Sequence, residues 1–377
     1  MTRAATADPD VDEVVLLTGF PRKLVTALTR HILARDARAN IRLLVGDGDQ
    51  SAAARLAASD PTRIRILRGD VAAMDLGLAG TEYQDLSNHV TTIHHVAHAP
   101  IREANKEETE RINIGGTRSV LQLAADCKRM RRLCHWSACS VAGKRKGVVL
   151  EEDLDHGQSF HDFHEQTRFE SEKLVRAAMH KLPITVLRPT VIVGDSRTGQ
   201  CEEFDGAYSL MSLLVNGKHS IPVPIPGNAN APLHLVPMSF VVQAGSVLAS
   251  DARAAGKTFQ LADPNPLPAR RVFELVAEVS QAKIAKRALP AGLAKTLLRT
   301  PGLEKLSRGP RAFLATVDQQ IFFNTRGANE LLHDQGIRCP PFDTYVAALV
   351  QDIKDRHTEP AAEARHEPTV DDPLDPV

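Results

Sequence analysis

Tyrosine is scarce in this chain of 377 residues, which has only Tyr83, Tyr208 and Tyr345, together with a single tryptophan, Trp136. The residues four positions beyond the tyrosines are Ser87, Ser212 and Leu349. No tyrosine therefore shares a helix face with a lysine one turn on, which excludes a Tyr–Lys proton-donating pair. Lysine plus arginine and aspartate plus glutamate both total 46. With no net field to steer it towards nucleic acid or an anionic membrane, the chain is expected to take a small organic ligand. No run of about 18 apolar residues occurs, and the opening MTRAATADPDVDEVV lacks the apolar core of a signal peptide. A cytoplasmic protein without a membrane span is expected. The five cysteines include no Cys-x-x-Cys pair, which points to reduced thiols and away from a disulfide framework. Neither a Walker-type loop nor a Gly-x-Ser-x-Gly elbow is present. His161, His164 and Glu165 lack His-Glu-x-x-His spacing, and no metal is expected.

What the sequence does contain is an alternation of short apolar runs with helical patterns. Residues 14–17 form an apolar run that ends in Thr18-Gly19 and leads into Leu24, Leu28 and Ile32 at helical spacing. Further runs at 41–45, 63–67, 92–96, 133–136 and from Ile184 onward read as parallel strands. The predicted fold is α/β, a Rossmann-like doubly wound parallel sheet with helices on both faces and a smaller C-terminal substrate lobe. Residues 1–12 read as a disordered leader, 13–199 as the dinucleotide-binding-type domain, 200–355 as the lobe and 356–377 as a Pro- and Asp-rich disordered tail.

The stretch HDFHEQTRFESEKLV at residues 161–175 resembles the YEQTKFEAEKLV segment of extended short-chain dehydrogenases/reductases, in particular the thioester-reductase and fatty-acyl-reductase branch. The likeness extends over roughly residues 13–355. NIGGT at 113–117 matches NVxGT, SACSVAG at 137–143 is similar to STAYVAG, and ITVLRPTVIVGDSRTG at 184–199 is similar to RPsxVvGdSrTG. It implies an NAD(P) cleft formed by Thr18, Gly19, Phe20, Arg22, Lys23, Asp47, Asp70, Val71, Ala97, His98, Asn113 and Pro189. It also implies catalytic positions at His164, Arg168 and Ser137.

At those positions the chain departs from the family. Arg22 and Val25 stand where the family has glycines that let a pyrophosphate approach and a helix pack on its strand. Asp47 follows the second strand, where it would accept a ribose hydroxyl and repel a 2′-phosphate, and His98 replaces a small residue. The expected cofactor is therefore none or weakly bound NAD(P). His164 and Arg168 replace the proton-donating tyrosine and its lysine, and Ala138 replaces the substrate-positioning hydroxyl, leaving Ser137 as the nearest substitute. Loss of a proton donor slows a reaction about 10²- to 10⁴-fold, or roughly 3–5 kcal/mol. Three readings follow, in this order. The first is a non-redox acid/base enzyme using His164 on an acyl or polyketide-like molecule. The second is a catalytically silent pseudo-reductase acting as a binding or scaffold subunit, and the third an NAD(P)H-dependent thioester or carbonyl reductase with a divergent site. The apolar stretch IPVPIP at 221–226 suits an acyl ligand.

Overall fold

A computed structural model describes residues 13–99, 105–201, 207–216, 228–283 and 319–358. The leader at 1–12, the stretch at 221–226 and the tail beyond Thr358 lie outside the described residues. The chain alternates strand and helix: β1 (Val14–Thr18), α1 (Lys23–Arg35), β2 (Asn40–Val45), α2 (Gln50–Ala57), β3 (Ile64–Arg68), α3 (Gly80–His89), β4 (Thr92–His95), α4 (Lys106–Glu110), α5 (Gly116–Asp126) and β5 (Arg132–Trp136). It continues with β6 (Gly147–Val149), α6 (Phe163–Ala178), β7 (Ile184–Pro189), β8 (Val191–Val193), α7 (Ala207–Asn216), β9 (Leu235–Pro237), α8 (Met238–Ser250), β10 (Lys257–Leu261) and α9 (Ala269–Ser280).

Every residue of β1, β5 and β7 is buried, as expected for parallel strands covered on both faces. Side chains alternate between two cores because strand neighbours point to opposite faces. Leu17 joins Leu28 of α1 and Val241 of α8 on one side, whereas Leu16 joins Leu123 of α5 and Val175 of α6 on the other. The seven strands run parallel in the order β10-β7-β5-β4-β1-β2-β3. This is a Rossmann-like doubly wound sheet. Its order reverses between β1 and β4, so the crevice for a ligand opens at their C-terminal ends.

Beyond Gly199 the chain serves two bodies. Helix α8 packs on α1, and β10 pairs with β7 as the seventh strand of the sheet. A second core gathers Tyr208 and Met211 of α7, Phe273 and Val276 of α9, and Leu349 and Ile353 of the last helix, Val346–Thr358. That helix runs through Arg356, which pairs with Asp352 one turn earlier at 3.0 Å.

Gly245 of α8 lies against the sheet where Trp136 ends β5, and a Cβ there would come within 2.3 Å of the indole. Overpacking of this kind destabilises by about 1–3 kcal/mol. Gly245→Ala should lower the denaturant midpoint accordingly, and an unchanged midpoint would contradict this packing of α8 on β5.

Candidate ligand cleft

The cleft begins at the turn after β1. Gly19 has φ +95°, and a Cβ would lie 2.7 Å from the Ala97 nitrogen, so only glycine lets this turn pass against the loop after β4. Arg22 is the N-cap residue of α1, and its guanidinium crosses to donate to the His98 carbonyl at 3.1 Å. Lys23 donates to the Cys201 carbonyl. Val25 is fully buried in the core between α1 and the sheet.

At the other end of the cleft, the carboxylates that end β2 and β3 are paired. Arg68 Nε lies 2.5 Å from Asp47 Oδ1, and Arg111 Nη1 lies 2.6 Å from Asp70 Oδ2. The hydrogen bond from Arg68 holds the Asp47 carboxyl below its ordinary range. The family motifs mark Asp47 and Asp70 but neither arginine. The parallel register sets Val45 beside Arg68, which brings the ends of β2 and β3 together. Arg111 comes from the π-turn Arg111–Gly115 between α4 and α5, which has no clear sequence signal.

Gly19, Phe20, Arg22, Lys23, Asp47, Asp70, Val71, Ala97 and His98 line one open cleft of about 920 Å³, together with Asp49, Arg68 and Arg111. That volume lies within the range of small-molecule sites, about 300–1,000 Å³. Thr18 and Pro189 line neither this cleft nor the smaller space behind it. The Thr18 hydroxyl is 2.9 Å from His95 Nδ1, and Pro189 ends β7 opposite Leu261. Asn113 braces the floor by accepting from the Ala99 nitrogen and donating to the Thr167 hydroxyl, both at 2.8 Å.

Behind His98 the space shrinks. Ala97, His98, Asn113, Trp136, Ser137 and Arg168 surround a cavity of about 10 Å³. Such a volume holds about one water molecule. Ala97 and His98 border both this space and the outer cleft. His98 is held well below the ordinary imidazole range by burial, and then by the charges of Arg168 and Arg22, so it is neutral.

The catalytic candidates do not assemble as a triad. Asp162 caps α6 by accepting from the Glu165 nitrogen at 2.9 Å. His164 is buried, with its ring stacked on Phe163 at 4.6 Å between centroids, and it borders neither cavity. Burial pulls its pKa down; Asp162 opposes the shift and Arg168 adds to it. The imidazolium of His164 is therefore disfavoured first by burial and only then by Arg168. Burial pushes Arg168 down to about 9, with Arg22 adding to the shift and Asp162 opposing it, so it remains a cation at pH 7. Arg168 has no hydrogen bond or ion pair among the described residues.

Ser137 donates its hydroxyl to Glu172 Oε2 at 2.6 Å. Glu172 is fully buried and also accepts from Arg188 Nη2 at 2.6 Å and Arg176 Nε at 3.1 Å. Burial alone would raise the Glu172 pKa, but the Arg188 charge and these hydrogen bonds override it and hold the carboxyl low. His161 pairs with Glu165 at 2.9 Å. Among the described residues no cluster of three His, Cys, Asp or Glu side chains could hold a metal, and no helix is long and apolar enough to cross a membrane.

The sheet order, the cleft at its reversal point and the motif at 184–199 define a Rossmann-like protein of the extended short-chain dehydrogenase/reductase type. A family model described as Male sterility protein matches residues 15–245, and the chain belongs to that family. It is 26% identical over 276 residues to the nonribosomal peptide synthetase asaC of Aspergillus flavus, covering 67% of this chain and 26% of that protein. It is 22% identical over 242 residues to the fatty acyl-CoA reductase wat of Drosophila melanogaster, covering 58% of this chain and 47% of that protein. The chain thus spans only part of these curated relatives. Among solved structures, the terminal R domain of the myxalamid PKS-NRPS pathway superposes with a TM-score of 0.81 at 24% identity, over 93% of this chain and 92% of that one. UDP-glucuronic acid 4-epimerase from Bacillus cereus in complex with NAD gives a TM-score of 0.67 at 16% identity, over 93% and 99%.

Two outcomes are expected. Glu172→Gln leaves Arg188 buried without its counter-charge, and loss of one partner of a buried pair costs about 3–5 kcal/mol. Denaturant unfolding that shows less than about 1 kcal/mol would remove this cluster as a major support. The second outcome concerns the buried histidines of β4 and β5. Burial pushes both His94 and His135 down to about 4, against 6.5 for the free side chain. Between those values the unfolded chain binds more protons than the folded one. Stability should thus fall as pH drops from about 6.5 towards 4, by up to about 1.4 kcal/mol per pH unit for each histidine. Unfolding midpoints that stay level between pH 7 and pH 5 would contradict that burial.

Proposed function

We propose that this chain is a binding protein built on the thioester-reductase scaffold, one that holds a nucleotide in the outer cleft and does not carry out hydride transfer. The observation that carries this reading is the contrast between an open outer cleft of about 920 Å³ and an inner space of about 10 Å³. The residues present fit the nucleoside half of a dinucleotide: Asp47 and Asp70 offer carboxylates, and Val71 an apolar wall. They do not fit the other half, because Arg22 reaches across the turn to the His98 carbonyl and the inner space is too small for a sugar and a ring. A dinucleotide therefore has no room for its nicotinamide end in this cleft.

Proton supply supports the same reading. A depressed imidazole such as His164 is unprotonated at pH 7 and is a poor acid. The Ser137 hydroxyl is engaged in donating a hydrogen bond to the buried Glu172 carboxylate. The acid/base reading would place His164 on the wall of a ligand-sized space, yet His164 borders neither cavity. Several of the similar proteins, moreover, carry reductase names, which lends the acid/base reading no support.

A second reading, an NAD(P)H-dependent reductase of acyl thioesters, is favoured by membership of the family and by relatives named fatty acyl-CoA reductase and glycine betaine reductase. The two readings separate in one experiment. Trp136 is 5% exposed and borders the inner space, so its fluorescence should respond when that space is filled. Titration with AMP, NADH and NADPH should give AMP binding by calorimetry with little change at Trp136. Adding a long-chain acyl-CoA should not speed oxidation of either dinucleotide. Thioester-dependent consumption of NADH or NADPH that falls on His164→Ala would establish the reductase instead.

A further inference from the structure

The open cleft and the inner space meet at the loop after β4. Ala97 and His98 border both, whereas Arg22 borders the cleft alone, and Trp136 and Ser137 border the inner space alone. Of the two shared residues Ala97 carries only a methyl group, so the side chain that separates the spaces is the imidazole of His98. The loop that carries it is pinned on both sides. Ala97 donates its N–H to the Thr18 hydroxyl at 3.3 Å, the His98 carbonyl accepts from Arg22 at 3.1 Å, and the Ala99 nitrogen donates to Asn113 at 2.8 Å. The ring is held as well, with Nδ1 3.0 Å from the Val96 carbonyl. A carbonyl only accepts, so Nδ1 carries a hydrogen, and swinging the ring aside would give up that bond.

We infer that the His98 ring determines the specificity of the cleft: it closes the way to the inner space and restricts the ligand to a mononucleotide, one with nothing attached beyond its phosphates. This inference rests on the nucleotide reading above and names the class of nucleotide that reading leaves open. Arg22 acts earlier, at the turn, and borders only the open cleft. The ring of His98 stands between a ligand already past that turn and the space behind it. Specificity of this kind comes from a group placed against the larger ligand, with no extra contact to the smaller one required.

The chain's single tryptophan, Trp136, lies on the inner space, so its quenching by acrylamide, a small neutral molecule, reports whether the partition is closed. In the unmodified full chain quenching should be slight. His98→Asn keeps a side-chain N–H for the Val96 carbonyl and removes the far side of the ring, and quenching should then rise several-fold. His98→Phe keeps a ring without the N–H, and Trp136 should stay shielded. Calorimetry with AMP and ADP-ribose reads the ligand limit. The two should bind alike within about twofold in the unmodified chain and in His98→Phe, and ADP-ribose should gain about tenfold over AMP in His98→Asn, where its second ribose enters the inner space. Thermal unfolding shows whether each variant is folded. Should His98→Asn not fold, the unmodified chain still decides, since ready quenching of Trp136 there, or ADP-ribose binding about tenfold tighter than AMP, overturns the partition. A folded His98→Asn protein whose Trp136 stays shielded, or which binds AMP and ADP-ribose alike, also overturns the role of His98, while AMP binding upholds the nucleotide reading. If AMP does not bind, that reading and the ligand limit fall together, whatever the quenching.

Discussion

The buried carboxylate of Glu172 holds the helix that defines this protein against its sheet. It sits on α6 and accepts hydrogen bonds from Ser137 after β5, Arg188 of β7 and Arg176 of its own helix. Arg188 in turn donates to the Asp153 carbonyl, and Arg176 to those of Glu151 and Glu152. One charge therefore links the helix, two strands and the loop before the helix. In the protein interior such a cluster is stable only when every member is satisfied. The register of α6, and with it the placement of His164 and Arg168, follows from this cluster. The same cluster takes up the Ser137 hydroxyl, so the residue nearest to the missing substrate-positioning group serves the scaffold.

The cleft at the reversal point of the sheet shows what happens when a fold keeps its outline and changes its lining. The turn at Gly19 still passes within contact of Ala97, and the strand ends still surround an open crevice. Arg22 and His98 have replaced small residues at its middle, and behind them Trp136, Ser137 and Arg168 close on a space the size of one water molecule. The outer half is accessible and electrostatically balanced by its two acid–base pairs. The inner half is closed and cationic. Family membership therefore accounts for the shape, while the reaction depends on a few side chains that differ.

Much of the fold could be read from the sequence because its signals are local. Apolar runs at 14–17, 41–45 and 92–96 and the helical spacing of Leu24, Leu28 and Ile32 are properties of short stretches, and each formed the expected element. The seventh strand, β10, was less legible. Its membership of the sheet depends on pairing with β7, about seventy residues earlier in the chain, and parallel partners are chosen by tertiary packing. In the cleft, most of the residues named from the family motifs line a single crevice, because those motifs mark the ends of strands.

The scaffold and the identity of its departures are local properties of the chain: His164, Arg168, Arg22 and His98 are visible as substitutions in an otherwise recognisable pattern. Which of those groups meet depends on the folded arrangement of the strands and helices. Arg68 lies 21 residues from Asp47 and Arg111 lies 41 from Asp70, yet both pairs are in contact. Ser137 and Glu172 meet across 35 residues, whereas Arg168 meets no described counter-charge. Whether a charge is neutralised, a hydroxyl engaged or an imidazole desolvated depends on neighbours brought together by strand register and helix packing. Those neighbours have no fixed spacing along the chain.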